Sequence, residues 1–377
     1  MTPLRSISRG KACLVAAVLL LVAGAGPGCA WAQASSEAEA PATGTPATEV
    51  GNLLYVCVQD EAQVAIIDMD THEVVEMVDL VGLGFGERSM PHDIAVEPDG
   101  SHWYVSLIGQ NRVLRFNSAN ELVGELEMET PGMLDVHPTR DLVVVSRSMS
   151  AVSPPPRVGL ARGSTMEVEE VDIFFSQPHG ILVGPEGRFA YTASLGVNQL
   201  ASIDLDTERV ELVDVEGPTH AFVQLAISPN GEILVASGEI SGELAVFSLE
   251  NPAQPALVTS VEVGPQAFDP YFSPDGETVW VPIKGADQVV VVETEGWSVE
   301  EVIEGEGLLQ PHSLRFSPDG RWAFVTNNNK DPHAMHHPAE AEGGPGTVVV
   351  IDAETREIVR VLELGRNVTG MGLQPYR

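Results

Sequence analysis

The sequence predicts an all-β chain folded as a seven-bladed β-propeller. Each blade has four antiparallel strands, and one blade is closed by strands from the N- and C-terminal ends. Three observations lead there. A valine-rich extended segment ending in a Pro-x-Gly-like turn recurs seven times, with the turn proline at Pro98, Pro138, Pro185, Pro229, Pro274, Pro318 and Pro375. The successive spacings are 40, 47, 44, 45, 44 and 57 residues, and a period near 45 with four strand-like runs is the mark of propeller blades. The repeats also start and stop out of phase, so that the two ends of the domain complete one another.

The unit from Pro91 to Glu129 shows the plan. Strand A is expected at His92–Glu97, and Pro98-Asp99-Gly100 turns the chain because Pro presets φ and Gly accepts positive φ. Strand B follows at Trp103–Leu107, strand C at Arg112–Phe116 and strand D at Leu122–Leu126. Asp68–Thr71, Asp204–Thr207 and Asp352–Thr355 mark equivalent turns between strands C and D. Runs apolar on both faces suit sheets packed between neighbours. Trp103, Trp280 and Trp322 begin strand B and are expected to pack between blades. The first repeat, LLYVCV onward, has strands B, C and D but no A. The last segment, GMGLQP, supplies an A strand alone, which closes the ring and removes its open edge.

Residues 1–32 carry the pattern of a secretory signal peptide. Arg5, Arg9 and Lys11 precede the apolar run Leu14–Ala25, and Ala30-Trp31-Ala32 is a small-x-small cleavage site. Residues 33–50 are rich in Ala, Ser, Glu, Pro and Thr and read as a disordered leader. The propeller is expected over residues 51–377. No other apolar run is long enough to span a bilayer, so an exported, periplasmic or secreted monomer without a membrane span is expected. Cys57 is the one cysteine after the signal; an internal disulfide is excluded, and its place in LLYVCV predicts burial.

The formal charge of the whole chain is −34. Three of its 20 basic residues lie in the signal, leaving 17 against 54 acidic ones, and Lys284 and Lys330 are the lysines that remain. Such a surface repels nucleic acid and anionic membranes.

The pattern Pro-h-x-h-x-x-x-Pro-Asp-Gly (h, apolar), followed by h-Tyr/Trp-Val and h-x-Val-Ile-Asp-x-x-Thr, resembles the YVTN-type repeats of YncE-like seven-bladed propellers. The resemblance covers about Asn52 to Arg377. It implies the fold strongly, and it places the chain beside exported propellers and, more distantly, the propeller domain of nitrous oxide reductase. The paired histidines of that enzyme's strand starts are absent, as is its electron-transfer copper domain.

Counting six residues back from each turn proline gives the ring Thr369, His92, Gly132, His179, Val223, Phe268, His312. Strand A is innermost, so these positions should circle one mouth of the channel. His220 lies three positions before the ring. Connections between strands B and C open on the same face, and two are long. Arg147–Met166 holds Pro154-Pro155-Pro156 with Arg157 and Arg162. Asn327–Gly346 holds His333, Met335, His336 and His337. Long connections on a rigid scaffold are where binding and catalysis concentrate. Neutral imidazoles in this pattern suit copper, zinc or iron, with His92, His179, His312, His333, His336 and His337 as candidate ligands. His220, Arg315, Asp93 and Asp269 are candidate ligand contacts. A structural reading stands beside the metal reading, because a histidine at an inner strand start also ties neighbouring blades together. The function classes are therefore a scaffold binding a small molecule or an exported protein, a metal-dependent oxidoreductase, and a lactonase-like hydrolase.

Overall fold

The computed structural model describes residues 52–330 and 343–374. The signal and leader expectations, and those for His333, Met335, His336 and His337, lie outside these residues. Seven four-stranded antiparallel sheets form the fold. In the split blade, Val368–Leu373 is strand A and pairs with Leu53–Val58, which continues into Gln63–Asp68 and Glu73–Asp79. The next blade runs Pro91–Val96, His102–Leu107, Arg112–Asn117 and Leu122–Glu127, each strand within a residue of its expected bounds.

Each interface between neighbouring blades holds its own apolar core, and the described residues fall into seven such clusters. Trp103 stacks on Phe116 at 4.2 Å and meets Tyr55 of the preceding blade at 5.0 Å. Trp280 meets Phe316 of the following blade edge-on at 5.2 Å. The cluster joining the last blade to the split one draws on Phe324, Val348 and Val350 on one side and on Leu54, Val56, Val368 and Met371 on the other. Closure is thus made of the same apolar contacts as every other interface. Cys57 is fully buried, and burial, with the Asp93 carboxyl nearby, pushes its thiol pKa well up, which makes it unreactive.

The recurrent turns have local causes. At the end of strand C the carboxylate of Asp68 accepts the N–H groups of Asp70 and Thr71, each at 2.9 Å, and Asp204 and Asp352 repeat the arrangement. Between strands A and B, Gly100, Gly187, Gly231, Gly276 and Gly320 adopt φ between 70° and 76°, where a side chain is disfavoured.

Two sequence expectations are corrected. Arg157–Arg162 is strand C of the third blade, so the connection before it spans only 148–156, and Arg162 lies at the far end of that strand. It pairs with Glu167–Asp172 on one side and with Val143–Arg147 on the other, and only its two terminal arginines are exposed, which makes it an inner strand rather than a loop. In the sixth blade strand A shrinks to Tyr271–Phe272, because Pro270 has no N–H to give the ladder.

Candidate functional site

Strand A enters the channel in the same way in every blade. Eight residues before the turn proline stand Met90, Thr130, Gln177, Ala221, Gln266, Gln310 and Asn367, all with φ between 46° and 59°. This left-handed residue turns the chain sharply into the strand. A register shift then follows in strand A of six blades, at the level of the ring histidines. The shift frees a backbone N–H, and a hydroxyl on strand B takes it up. Ser106 accepts from Asp93, Ser146 from Met133, and Thr326 from Ser313. A bulge re-aims side chains, so consecutive ring positions both approach the axis rather than alternating faces.

The three ring histidines converge. The His92 ring centroid lies 6.4 Å from that of His179 and 6.0 Å from that of His312, and all three side chains are buried. His92 donates its Nδ1 hydrogen to Oε1 of Gln59, 2.9 Å away in the B–C connection of the split blade. His179 donates its Nδ1 hydrogen to the carbonyl of Arg147 at 2.9 Å. The Arg147 guanidinium is itself buried and held by the carbonyls of Glu129 and Arg157 and by the carboxylate of Glu170. These bonds fix the tautomers and leave Nε2 of both rings as a lone pair, the disposition of a histidine set up to bind a Lewis acid or accept a proton. Nε2 of His92 and Nδ1 of His312 are buried without a protein partner. Among the described residues, no group of three or more His, Cys, Asp or Glu side chains could hold a metal ion as it stands.

Burial holds the three imidazoles neutral. It lowers the pKa of His92 to about 3, aided by His179, Lys284 and Lys330, and it lowers those of His179 and His312 as well. Lys284, at the end of strand B in the sixth blade, sets its ammonium over the Phe268 ring at 4.5 Å, and Phe268 meets His312 at 5.0 Å. Burial lowers the Lys284 pKa to about 8, against the pull of Glu239. Lys330 stands 3.7 Å from Asp60. Lys284 and Lys330 thus both press on His92 and His312.

The other sequence candidates sit elsewhere. His220 is buried, stacked on Phe222 at 4.7 Å and bonded to Ser241 Oγ at 3.0 Å, and it makes no described contact with the three. His137, which is not among those candidates, accepts the N–H groups of Thr139 and Arg140 at its Nδ1, a structural role. Asp93, Asp269 and Arg315 line a cavity of about 640 Å³ that none of the three histidines lines. Sequence reasoning did not single out Gln59 or the Arg147 carbonyl as orienting groups, nor Lys284 as a site residue. The lysines could have been found, since they are the only two that follow Lys11 in the sequence. No sequence signal marks Gln59.

Fold and site together define a seven-bladed β-propeller in which three buried histidines from the starts of three A strands converge. No family model matches the chain. It is 26% identical to the protein NirF of Stutzerimonas stutzeri over 212 residues, 56% of this chain and 41% of that protein, so the match spans less than half of the relative's length. Among solved structures, the dihydro-heme d1 dehydrogenase NirN in complex with DHE superposes with a TM-score of 0.60 at 17% identity, over 86% of this chain and 75% of that one. A functionally unknown protein from Desulfotomaculum acetoxidans gives 0.68 at 15% identity, over 87% of this chain and 100% of that one. A putative 6-phosphogluconolactonase from Bacteroides fragilis gives 0.65 at 12% identity, over 87% and 99%. These three likenesses are likenesses of fold.

Proposed function

We propose that this chain is an exported, YVTN-type propeller that seats a small anionic molecule on its histidine-lined mouth. The observation that carries the reading is the meeting of three neutral imidazoles with both remaining lysines in a chain of formal charge −34. Lysine is scarce everywhere else, so its placement here supports recognition of negative charge. The likeness to the dihydro-heme d1 dehydrogenase NirN suggests an iron tetrapyrrole, and the partnerless Nε2 of His92 and Nδ1 of His312 are nitrogens that could hold its iron. With His92 6.4 Å from His179 and 6.0 Å from His312, the rings leave no room for a macrocycle between them, so it would bind outside the cluster. One free imidazole nitrogen would hold the iron, and Lys284 and Lys330 would meet the carboxylates. Such a group, when bound, supplies a redox-active Lewis acid; the chain supplies orientation and charge.

Titration of untagged protein with hemin tests this. A shifted Soret band at one equivalent is expected, lost in the His92→Ala, His179→Ala, His312→Ala triple variant. Equal spectra for the two proteins, or no binding to either, would overturn it.

A second reading, a copper-, zinc- or iron-dependent oxidoreductase, is favoured by the partnerless His92 Nε2 and His312 Nδ1. It requires the rings to draw closer than they stand. Stoichiometric metal in the untagged protein, absent from the triple variant, is its test. The hydrolase reading rests on fold likeness alone.

A further inference from the structure

The far end of the channel holds a second, differently built chamber. One residue beyond the ring positions His92, Val223 and Phe268, strand A presents Asp93, Gln224 and Asp269 to it, and three residues beyond Gly132, Phe268 and His312 it presents Asp135, Tyr271 and Arg315. The turn prolines Pro98, Pro138, Pro185, Pro229 and Pro274 rim the outer end. About 640 Å³ is enclosed, within the range of small-molecule sites. Leu134, Ile181, Leu225, Ile227 and Leu373 give it apolar walls.

Most of its polar groups are already engaged. Arg315 donates to Asp269 at 2.7 Å and to the carbonyl of Leu314 at 2.6 Å, and it lies over the Tyr271 ring at 4.7 Å. Asp269 also accepts from the Ser313 hydroxyl at 2.6 Å. Asp135 accepts the N–H groups of Val183 and Val136 at 2.7 and 2.8 Å. Asp93 spends one carboxyl oxygen on the N–H of Leu134 at 2.9 Å. Its other oxygen, Oδ1, has no protein partner although the residue is only 2% exposed. Gln224 is 6% exposed, and its Oε1 is likewise without a partner. A Cβ at residue 370 would stand 2.7 Å from Asp93 Oδ1, so Gly370 leaves that oxygen its space.

Two buried acceptors therefore lack a donor in a chamber with three aspartates and one arginine, and an unmatched buried acceptor is costly until a donor arrives. We propose that this chamber is a binding site for a small molecule with a primary ammonium or amidinium head on an apolar body. The head donates a hydrogen bond to Asp93 Oδ1, Gln224 Oε1 stands as a second acceptor on the chamber wall, and the body lies along the leucine and isoleucine walls. The proposal concerns a different end of the channel from the histidine mouth, and either can fail without the other.

The test is calorimetric titration of the full chain with phenethylamine, 2-phenylethanol and phenylacetate, supported by ligand-observed NMR. The amine is expected to bind at least about tenfold more tightly than the alcohol, and the carboxylate not at all. Asp93→Asn keeps an oxygen for Leu134 and should weaken the amine by about tenfold or more. Gln224→Met, close in volume, should weaken it by a smaller factor. The histidine triple variant should bind the amine as wild type does. Preference for the carboxylate, equal binding of amine and alcohol, no binding of any probe, or full amine affinity in a folded Asp93→Asn variant would each overturn the proposal.

Discussion

The carbonyl of Arg147 accepts the Nδ1 hydrogen of His179 at 2.9 Å, while the guanidinium of the same residue is buried in its own blade. One residue thus anchors strand B of the third blade and sets the tautomer of a histidine in the fourth. Arg147→Met would leave the carbonyls of Glu129 and Arg157 without their donor and would unpair Glu170. A loss of about 3 kcal/mol of stability is expected, readable as a fall in the denaturant midpoint. The main-chain bond to His179 survives the substitution, so its ring nitrogens should keep the Nδ1–H tautomer in a ¹⁵N spectrum. A tautomer change would show that the side chain, not the carbonyl, orients the ring.

Acid stability should carry the mark of the buried imidazoles. His92, with a folded pKa of about 3 against an unfolded 6.5, binds fewer protons folded than unfolded between those values. Stability from this group is therefore present above about pH 6.5 and is lost as pH falls toward 3. Asp135 acts with the opposite sign. Burial raises its pKa from 3.8 to about 6, so its contribution is present at low pH and is lost as pH rises across that window. Melting temperature against pH should fall less steeply on acidification in His92→Phe than in wild type, and more steeply in Asp135→Asn. Parallel curves for all three would contradict both assignments.

The closing strand is open to direct test. Val368–Leu373 is buried along its whole length and pairs with Leu53–Val58, and its Val368, Met371 and Leu373 belong to the core that joins the last blade to the split one. Deleting residues 368–377 should abolish cooperative melting and expose apolar surface to a dye such as ANS. An unchanged melting curve would show that the ring does not depend on this strand.

The fold was legible because a blade is a short local grammar. Each Pro-x-Gly turn and each Asp-x-x-Thr turn satisfies its own backbone groups within a few residues, and the period counts the blades. The histidine ring was legible for the same reason, since equal register in equivalent strands must converge on one axis. What could not be read was the bulge after the histidine. It depends on Ser106, Ser146 and Thr326 in a different strand, and it lets position 93 face the channel as well as position 92. The shortened connection before Arg157 was hidden because RVGLAR is too brief and too charged at its ends to announce a strand. Gln59 meets His92 only through the closure of the ring, a contact that no local pattern encodes.

Lys284 offers the most direct reading of the mouth's electrostatics. Its ammonium lies over Phe268, and after burial it is the main influence that lowers the His312 pKa. Lys284→Gln removes the charge while leaving an amide of moderate length above the ring. The His312 pKa should then rise, and that of His92, which the same charge depresses less than His179 does, should rise by less. NMR titration of the imidazole resonances measures both. The same variant should weaken binding of an anionic probe at the mouth, and the deficit should shrink as salt is raised, because screening removes the contribution the lysine made. Unmoved imidazole pKa values would place the ammonium away from the histidines. A binding deficit that does not vary with salt would assign the loss to shape rather than charge.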